Sequence, residues 1–332
     1  MIAPLDSALV DRFAAFFERT FERTPDAAAP LAVAVSGGPD SMALLALAAS
    51  AWPGAVIAAT VDHGLRASAA GECAMVAGVC AELGVRHAIL AGTTAAGASM
   101  QAQARALRYR LLIDWAVGEG AATLATAHQA DDQAETFLMR AARGAGLSGL
   151  AGVRTSRLIE GTDLLLVRPL LDWRRAELRA IVRRAGLPFV DDPANDDPRH
   201  DRTRFRRLLN EHEWLDTPHI ARAAGHLAEA DAELRAIADW VWQERLQPGR
   251  GTGVKLDMSD LPRGLKRRLA QRAIGAVRQA AGIARPDWSP EANIEPLLDA
   301  LDRGKAATQA GVLVRPAGEV WRFRTAPARR KG

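Results

Sequence analysis

Leu31-Ala32-Val33-Ala34-Val35, then Ser36-Gly37-Gly38-Pro39-Asp40-Ser41, then Met42 to Ser50: an apolar run, a glycine turn and an Ala/Leu-rich stretch. The first reads as a buried strand and the last as a core helix. Between them, two glycines let backbone N–H groups turn inward, the helix N-terminus adds partial positive charge, and Ser36 and Ser41 add hydroxyl donors. Together they make a cradle for phosphate oxygens. Asp40 cannot face phosphate comfortably alone, so a Mg²⁺ between carboxylate and phosphate is the natural complement. The Gly-Lys-Ser/Thr ending of a Walker A loop is missing.

Outward from that turn, the pattern repeats. Val56 to Val61, Ala88 to Leu90 and Ala122 to Ala127 read as further strands. Ser68 to about Gly84, Ser99 to about Gly118 and Ala130 to Arg143 read as helices. Unbroken apolar strands separated by helices predict a doubly wound α/β domain with a parallel sheet, whose ligands sit at the strands' C-terminal ends. Asp62 and His63 lie at such an end. His128, Asp132 and Glu135 are spaced by four and three residues, so they are expected on one face of a helix start. Such a cluster can hold Mg²⁺, receive an ammonium group, or serve only as an acid cap favoured by the helix dipole. Arg66 either neutralises a phosphate or decorates the surface.

After Leu171 come a charged helix, Arg174 to Arg184, an Asp/Pro/Asn loop at Asp191 to Pro198, and an arginine cluster at Arg199, Arg202, Arg204, Arg206 and Arg207. From Thr217 the chain turns helical (Ile220 to Gln243, Leu261 to Ala281, Pro290 to Asp302). It ends in alternating residues around Pro316-Ala317-Gly318 that predict a β-hairpin. The expected division is 1–214 for the catalytic domain with an N-terminal helix, and 215–332 for a mostly helical, basic region. Trp214, Trp240 and Trp242 are expected in the core rather than as base-stacking platforms.

The formal net charge is +4 over 332 residues, and only four of the 43 basic residues are lysine. From Arg303 to Gly332 there are eight Lys or Arg against one acid, Glu319. Basic stripes suit a polyanion partner, or a solvated surface in an arginine-favouring chain. No apolar run approaches the roughly 18 to 20 residues that span a bilayer, and the first residues lack a signal-peptide pattern. Cys73 and Cys80 form neither a disulfide framework nor a CxxC metal site, and a cytoplasmic protein is expected.

The hexapeptide Ser36 to Ser41 resembles the signature of the PP-loop ATP-pyrophosphatases, which cleave ATP between the α- and β-phosphates and adenylate an oxygen. Val61-Asp62-His63-Gly64-Leu65-Arg66, the stretch Ala125 to Thr136, and Arg143-Gly144-Ala145-Gly146-Leu147-Ser148-Gly149-Leu150 narrow the likeness. With Arg168-Pro169-Leu170-Leu171 and the Asp192 to Asn195 loop, they resemble the tRNA(Ile)-lysidine synthases over about residues 30 to 210. The resemblance implies an ATP-dependent ligase that joins L-lysine to C2 of the wobble cytidine in isoleucine tRNA with a CAU anticodon. ATP adenylates the tRNA, pyrophosphate and AMP are released, and lysidine forms.

It implies ATP binding by Ser36, Gly37, Gly38, Pro39, Asp40, Ser41, Asp62 and His63, with Mg²⁺ on Asp40. Catalysis falls to Asp40, His128, Asp132 and Glu135, and tRNA or phosphate contact to Arg66, Arg143, Arg202 and Arg206. The basic region 215–332 is expected to bind the tRNA, and no obligate protein partner is expected. Where the family usually shows Arg-Asn, this chain has Arg202-Thr203, which leaves that side chain's contact open. Rival readings are a PP-loop tRNA 2-thiolase, a small-molecule adenylating amide ligase, and an RNA-binding protein with a dead nucleotide fold. The first wants well-placed cysteines, and the second has no use for a basic C-terminal extension. Intact Asp40, His128, Asp132 and Glu135 oppose the third.

Overall fold

The computed structural model describes residues 2–62, 69–92, 100–191, 201–248, 251–289 and 292–327. They fall into two compact units, Met1–Ala228 and Glu229–Gly332.

In the first unit, α1 (Ser7–Phe21) starts at Asp6, whose carboxylate accepts from the N–H of Ala8. Its phenylalanines recur every fourth residue, Phe13, Phe17 and Phe21, so one face is buried. That face packs on Trp52, with Phe17 and Trp52 ring centroids 4.8 Å apart. The sheet strands are β1 (Leu31–Ala34), β2 (Val56–Asp62), β3 (Arg86–Ala91), β4 (Thr123–Ala125), β5 (Ser156–Leu158) and β6 (Leu165–Val167). Their order is β3-β2-β1-β4-β6-β5, parallel except for β5. Interleaved are α2 (Pro39–Ala51), α3 (Ala69–Glu82), α4 (Met100–Gly118), α5 (Ala130–Ala141) and the short α6 (Leu147–Leu150). After β6 come α7 (Arg175–Arg184) and α8 (Asp201–Glu211).

Neighbouring residues of β1 serve opposite cores. Leu31 and Val33 join the cluster of α1, α2 and α7, while Ala32 joins that of Leu112, Ala116 and Leu124. Both faces are covered, which is why the strands read as continuous apolar runs. The chain leaves β1 for β2 and β3 on one side, then returns to place β4 on the other. The carboxyl edge between β1 and β4 is thus the topological switch point where ligands bind in such sheets.

The division between units falls within α9 (Thr217–Arg245). The second unit adds β7 (Leu246–Gln247), β8 (Val254–Asp257), α10 (Arg263–Ala280), α11 (Glu295–Asp302), β9 (Ala307–Gln309), β10 (Val312–Ala317) and β11 (Val320–Thr325). The expected hairpin is present as β10 and β11, closed by the Ala317–Val320 pair with Gly318 at φ +61°. It is the centre of a five-stranded antiparallel sheet, order β7-β8-β11-β10-β9. The other three strands span only two to four residues each, too short to show an alternation of their own. No described helix is long and apolar enough to cross a membrane.

The tryptophan expectation needs correcting. Trp242 is buried, but Trp240 is 66% and Trp214 76% exposed. Residues two apart on a helix point to nearly opposite sides, so Trp240 and Trp242 cannot share one buried face. Trp214 lies in the link before α9, its ring 5.5 Å from that of His212.

Replacing Phe17 with Ala should cost about 3–5 kcal/mol in denaturant unfolding, as for other buried phenylalanines. Trp240→Ala should stay within about 0.5 kcal/mol of wild type. Equal losses would contradict this assignment of the core.

Candidate functional site

The turn after β1 is held by its own serines. Ser41 Oγ donates to the carbonyl of Gly38 at 2.9 Å and accepts the N–H of Ser36 at 3.1 Å. Gly37 sits at φ +82°, where a side chain is strained, and a Cβ there would come within 3.3 Å of Met75. Gly38 caps α2 with no side-chain acceptor, and Pro39 opens the helix. The helix mouth therefore offers backbone N–H groups and dipole charge to an anion. From the other side, the N–H of Val190 donates to the carbonyl of Gly37 at 2.9 Å and braces the turn.

Asp40 is in the first turn of α2. Burial, then the charge of Asp132, pushes its carboxyl up from 3.8 to about 6. Its Oδ1 is buried without a hydrogen-bond partner, and its Oδ2 has only the Gln129 side-chain N–H, at 3.5 Å. A carboxylate left this uncompensated suits a cation. Among the described residues, no group of three or more His, Cys, Asp or Glu is arranged to hold a metal by itself. Asp40 is the carboxylate that would hold a Mg²⁺ alongside substrate phosphates, the way this ion is commonly bound at nucleotide sites.

Across the switch point, β4 delivers Thr126 to Asp132. The structure starts α5 at Ala130, so His128 precedes the helix instead of sharing its first face with Asp132 and Glu135. Gln129 is fully buried and caps α5: its Oε1 accepts from the N–H groups of Asp131 and Asp132, and Asp132 Oδ2 accepts from Gln129 N. One amide thus ties the cap of α5 to Asp40 of α2. His128 Nδ1 lies 3.0 Å from Thr126 Oγ1. Burial, then Arg168, Arg105 and Arg202, holds its imidazole down at about 3, so it is neutral at physiological pH.

The remaining carboxylates belong to an arginine lattice. Asp131 turns away and accepts from Arg174 Nε at 3.2 Å and from the N–H of Arg175 at 2.9 Å. Glu135 has no solvent exposure; its Oε1 accepts from Arg175 and Arg206, both at 2.9 Å, and its Oε2 pairs with Arg202 at 3.1 Å. Asp132 Oδ1 is held more loosely, 3.5 Å from Arg175 and 3.9 Å from Arg202. Arg202 and Arg206, expected at phosphate, thus meet Glu135, although Arg202 keeps 44% of its side chain exposed. Arg143 pairs with Asp201 at the start of α8.

Asp62 ends β2, where its carbonyl accepts from the N–H of Gly92 at 3.0 Å. Its charge helps raise the thiol of Cys73, after burial. His63, Arg66 and the Asp192 to Asn195 loop lie outside the described residues. Both cysteines are free and buried.

Sequence reasoning missed Gln129, Arg174 and Arg175. One signal was available: two consecutive arginines where a helix begins oppose its dipole, so carboxylates are needed nearby. Asp131, Asp132 and Glu135 supply them.

Glu135→Gln would leave three guanidinium groups around a neutral amide. A loss of about 3–5 kcal/mol in the unfolding free energy measured by urea titration is expected. Asp40 gives the opposite sign. Between pH 3.8 and about 6 the folded chain holds a proton at Asp40 that the unfolded chain releases, so raising the pH through this window lowers stability. Asp40→Asn should therefore stabilise the protein above pH 6, by at most about 3 kcal/mol, and lose that advantage below about pH 4. Parallel pH–unfolding curves for the two proteins would refute it.

The PP-loop domain family matches residues 6–213. The tRNA(Ile)-lysidine synthase of Zymomonas mobilis subsp. mobilis is 44% identical over 305 residues, 91% of this chain and 90% of its own length. That of Novosphingobium aromaticivorans is 42% identical over 310 residues, 92% of this chain and 91% of its own. Among solved structures, the U34-tRNA thiolase NcsA of Methanococcus maripaludis aligns with TM-score 0.54 and 19% identity, over 68% of this chain and 81% of that one. That likeness concerns the fold alone. With a PP-loop turn at the switch point and relatives this similar end to end, the chain belongs to the tRNA(Ile)-lysidine synthase family.

Proposed function

We propose that the chain is an ATP-dependent ligase that forms lysidine at the wobble cytidine of isoleucine tRNA with a CAU anticodon. The observation that carries this reading is the pairing, across one switch point, of an anion-binding turn with an under-compensated Asp40 and an acid-rich helix start. In the first step the cytidine C2 oxygen attacks the α-phosphorus of ATP, and the bond to the β-phosphate breaks to release pyrophosphate. The Ser36–Ser41 turn holds the leaving phosphates through backbone N–H groups and hydroxyls. Asp40 would hold a Mg²⁺, which would supply charge neutralisation for the leaving phosphates.

In the second step the ε-amino nitrogen of L-lysine attacks C2, and AMP leaves with the oxygen. An amide-like oxygen is a poor leaving group until it carries AMP. Lysine's ammonium, with a pKa of about 10.4 in water, must first give up a proton. Asp132, loosely paired, is the carboxylate we assign to hold that ammonium and take its proton. Glu135, closed in by Arg175, Arg202 and Arg206, acts as a positioning residue: it sets Arg202 beside the site, where its exposed part meets phosphate. Neutral His128 serves as a hydrogen-bonding group rather than an acid. To Asp62 and His63 we assign ATP binding, and to Arg66 and Arg143 contact with the tRNA backbone. A cytoplasmic location follows from a tRNA substrate.

Incubation with ATP, labelled lysine and total tRNA, followed by nucleoside analysis, should place the label on cytidine of isoleucine tRNA. Pyrophosphate release should need both ATP and that tRNA. Release without tRNA would instead favour a small-molecule ligase. Asp40→Ala should abolish pyrophosphate release while tRNA affinity stays within about twofold; unchanged turnover would remove Asp40 from the chemistry.

A further inference from the structure

The sheet of the second unit has a buried face and an open one. Leu256 on β8, Trp321 and Phe323 on β11, and Val312 and Val314 on β10 point into the core with α10 and α11. The residues between them take the other face. Register then sets Lys255 opposite Arg322, and Arg322 opposite Arg315, so three cations stand in one row across three strands. Arg324 lies one step along the same face, opposite Leu313.

Like charges placed directly opposite on neighbouring strands repel, with Cβ atoms only about 4.5–5.5 Å apart. Nothing nearby relieves this row. Among the described residues, none of Lys255, Arg315, Arg322 and Arg324 makes an ion pair. Other arginines of the unit are matched: Arg263 and Arg267 to Glu295, Arg268 to Asp231, Arg272 to Asp239. The carboxylate on the open face, Asp257, is occupied by Ser259 and by Arg245 at 3.6 Å. Several cations of the unit are thus neutralised, whereas those of this row stand side by side without an ion pair among the described residues.

We propose that Lys255, Arg322 and Arg315, with Arg324 beside them, form a track for the phosphodiester backbone of the tRNA. The inference rests on the reading of the chain as a tRNA-modifying enzyme and adds the surface that grips the substrate away from the reacting base. Such contacts carry affinity and salt dependence without reading sequence. Arg315, Arg322 and Arg324 are exposed, so their guanidinium groups reach phosphate without rearrangement of the sheet.

The test substitutes charge and keeps the sheet, because truncating the C-terminal strands would remove Val312, Val314, Trp321 and Phe323 from the core. In the full chain carrying Lys255→Gln, Arg315→Gln and Arg322→Gln, the slope of log affinity for tRNA against log salt should become shallower by about 2 to 3. Arg322→Gln alone should remove about 0.7–0.9 of that slope. Both variants should melt at or above the wild-type temperature, since a repulsion is relieved. At saturating tRNA they should release pyrophosphate at the wild-type rate. An unchanged salt slope in folded variants overturns the track. So does an equal change from Arg303→Gln with Lys305→Gln, outside the row, or loss of binding to anionic phospholipid vesicles with tRNA binding intact. Failure of the functional reading looks different: wild-type protein would release pyrophosphate without tRNA.

Discussion

Glu135 is the constraint around which the catalytic unit is arranged. A carboxylate without solvent exposure is tolerable only if cations come to it. They come from two places: Arg175 at the start of α7, and Arg202 and Arg206 on α8. These pairs draw both helices onto α5. Their arrival has a second consequence, because Arg175 and Arg202 also approach Asp132 and put positive charge beside the switch point. Three guanidinium groups around Glu135 thus set the electrostatics of the neighbouring cleft. Removing one partner of such a group is costly, so its geometry is held rigidly even though the net stability of a buried ion cluster is small.

Compensation stops short at Asp40 and along the open sheet face. Asp40 keeps one oxygen unpartnered and is raised to about 6, which costs stability at neutral pH. The Lys255–Arg322–Arg315 row keeps its repulsion. Other cations are matched, Arg12 with Glu177 and Arg263 with Glu295 and Asp302 among them. An energetic cost retained in a molecule otherwise well matched indicates where a partner is expected. At Asp40 the missing partner is cationic, and on the open sheet face it is anionic.

How much of this was legible beforehand depends on the range of each interaction. The parallel sheet was readable because two-sided burial writes itself as unbroken apolar runs such as Leu31 to Val35. The glycine turn was readable because strand, turn and helix are contiguous. Asp131, one residue from Asp132, faces away from it, and helical periodicity decides that locally. Arg202 and Arg206 were expected to be free for phosphate, and the sequence alone could not show that Glu135 holds them. That contact joins residues 71 positions apart in the case of Arg206, through a fold no local pattern specifies. Gln129 was invisible for a related reason. An amide before a helix is an ordinary cap, and its reach to Asp40 exists only because β1 and β4 are neighbours.

The same distinction separates the two basic features of the chain. The arginines near residue 202 and those near residue 320 look alike as composition, dense positive charge with few acids. In the folded chain Arg202 and Arg206 meet Glu135 and Arg204 lies 3.9 Å from Asp201, whereas the sheet arginines make no ion pair among the described residues. Charge density along the sequence does not show this difference. What decides is whether a buried carboxylate lies within reach, which for α8 it does. On the proposed reading, affinity for a polyanion draws on the cations that remain unpaired, and sheet register supplies a row of them.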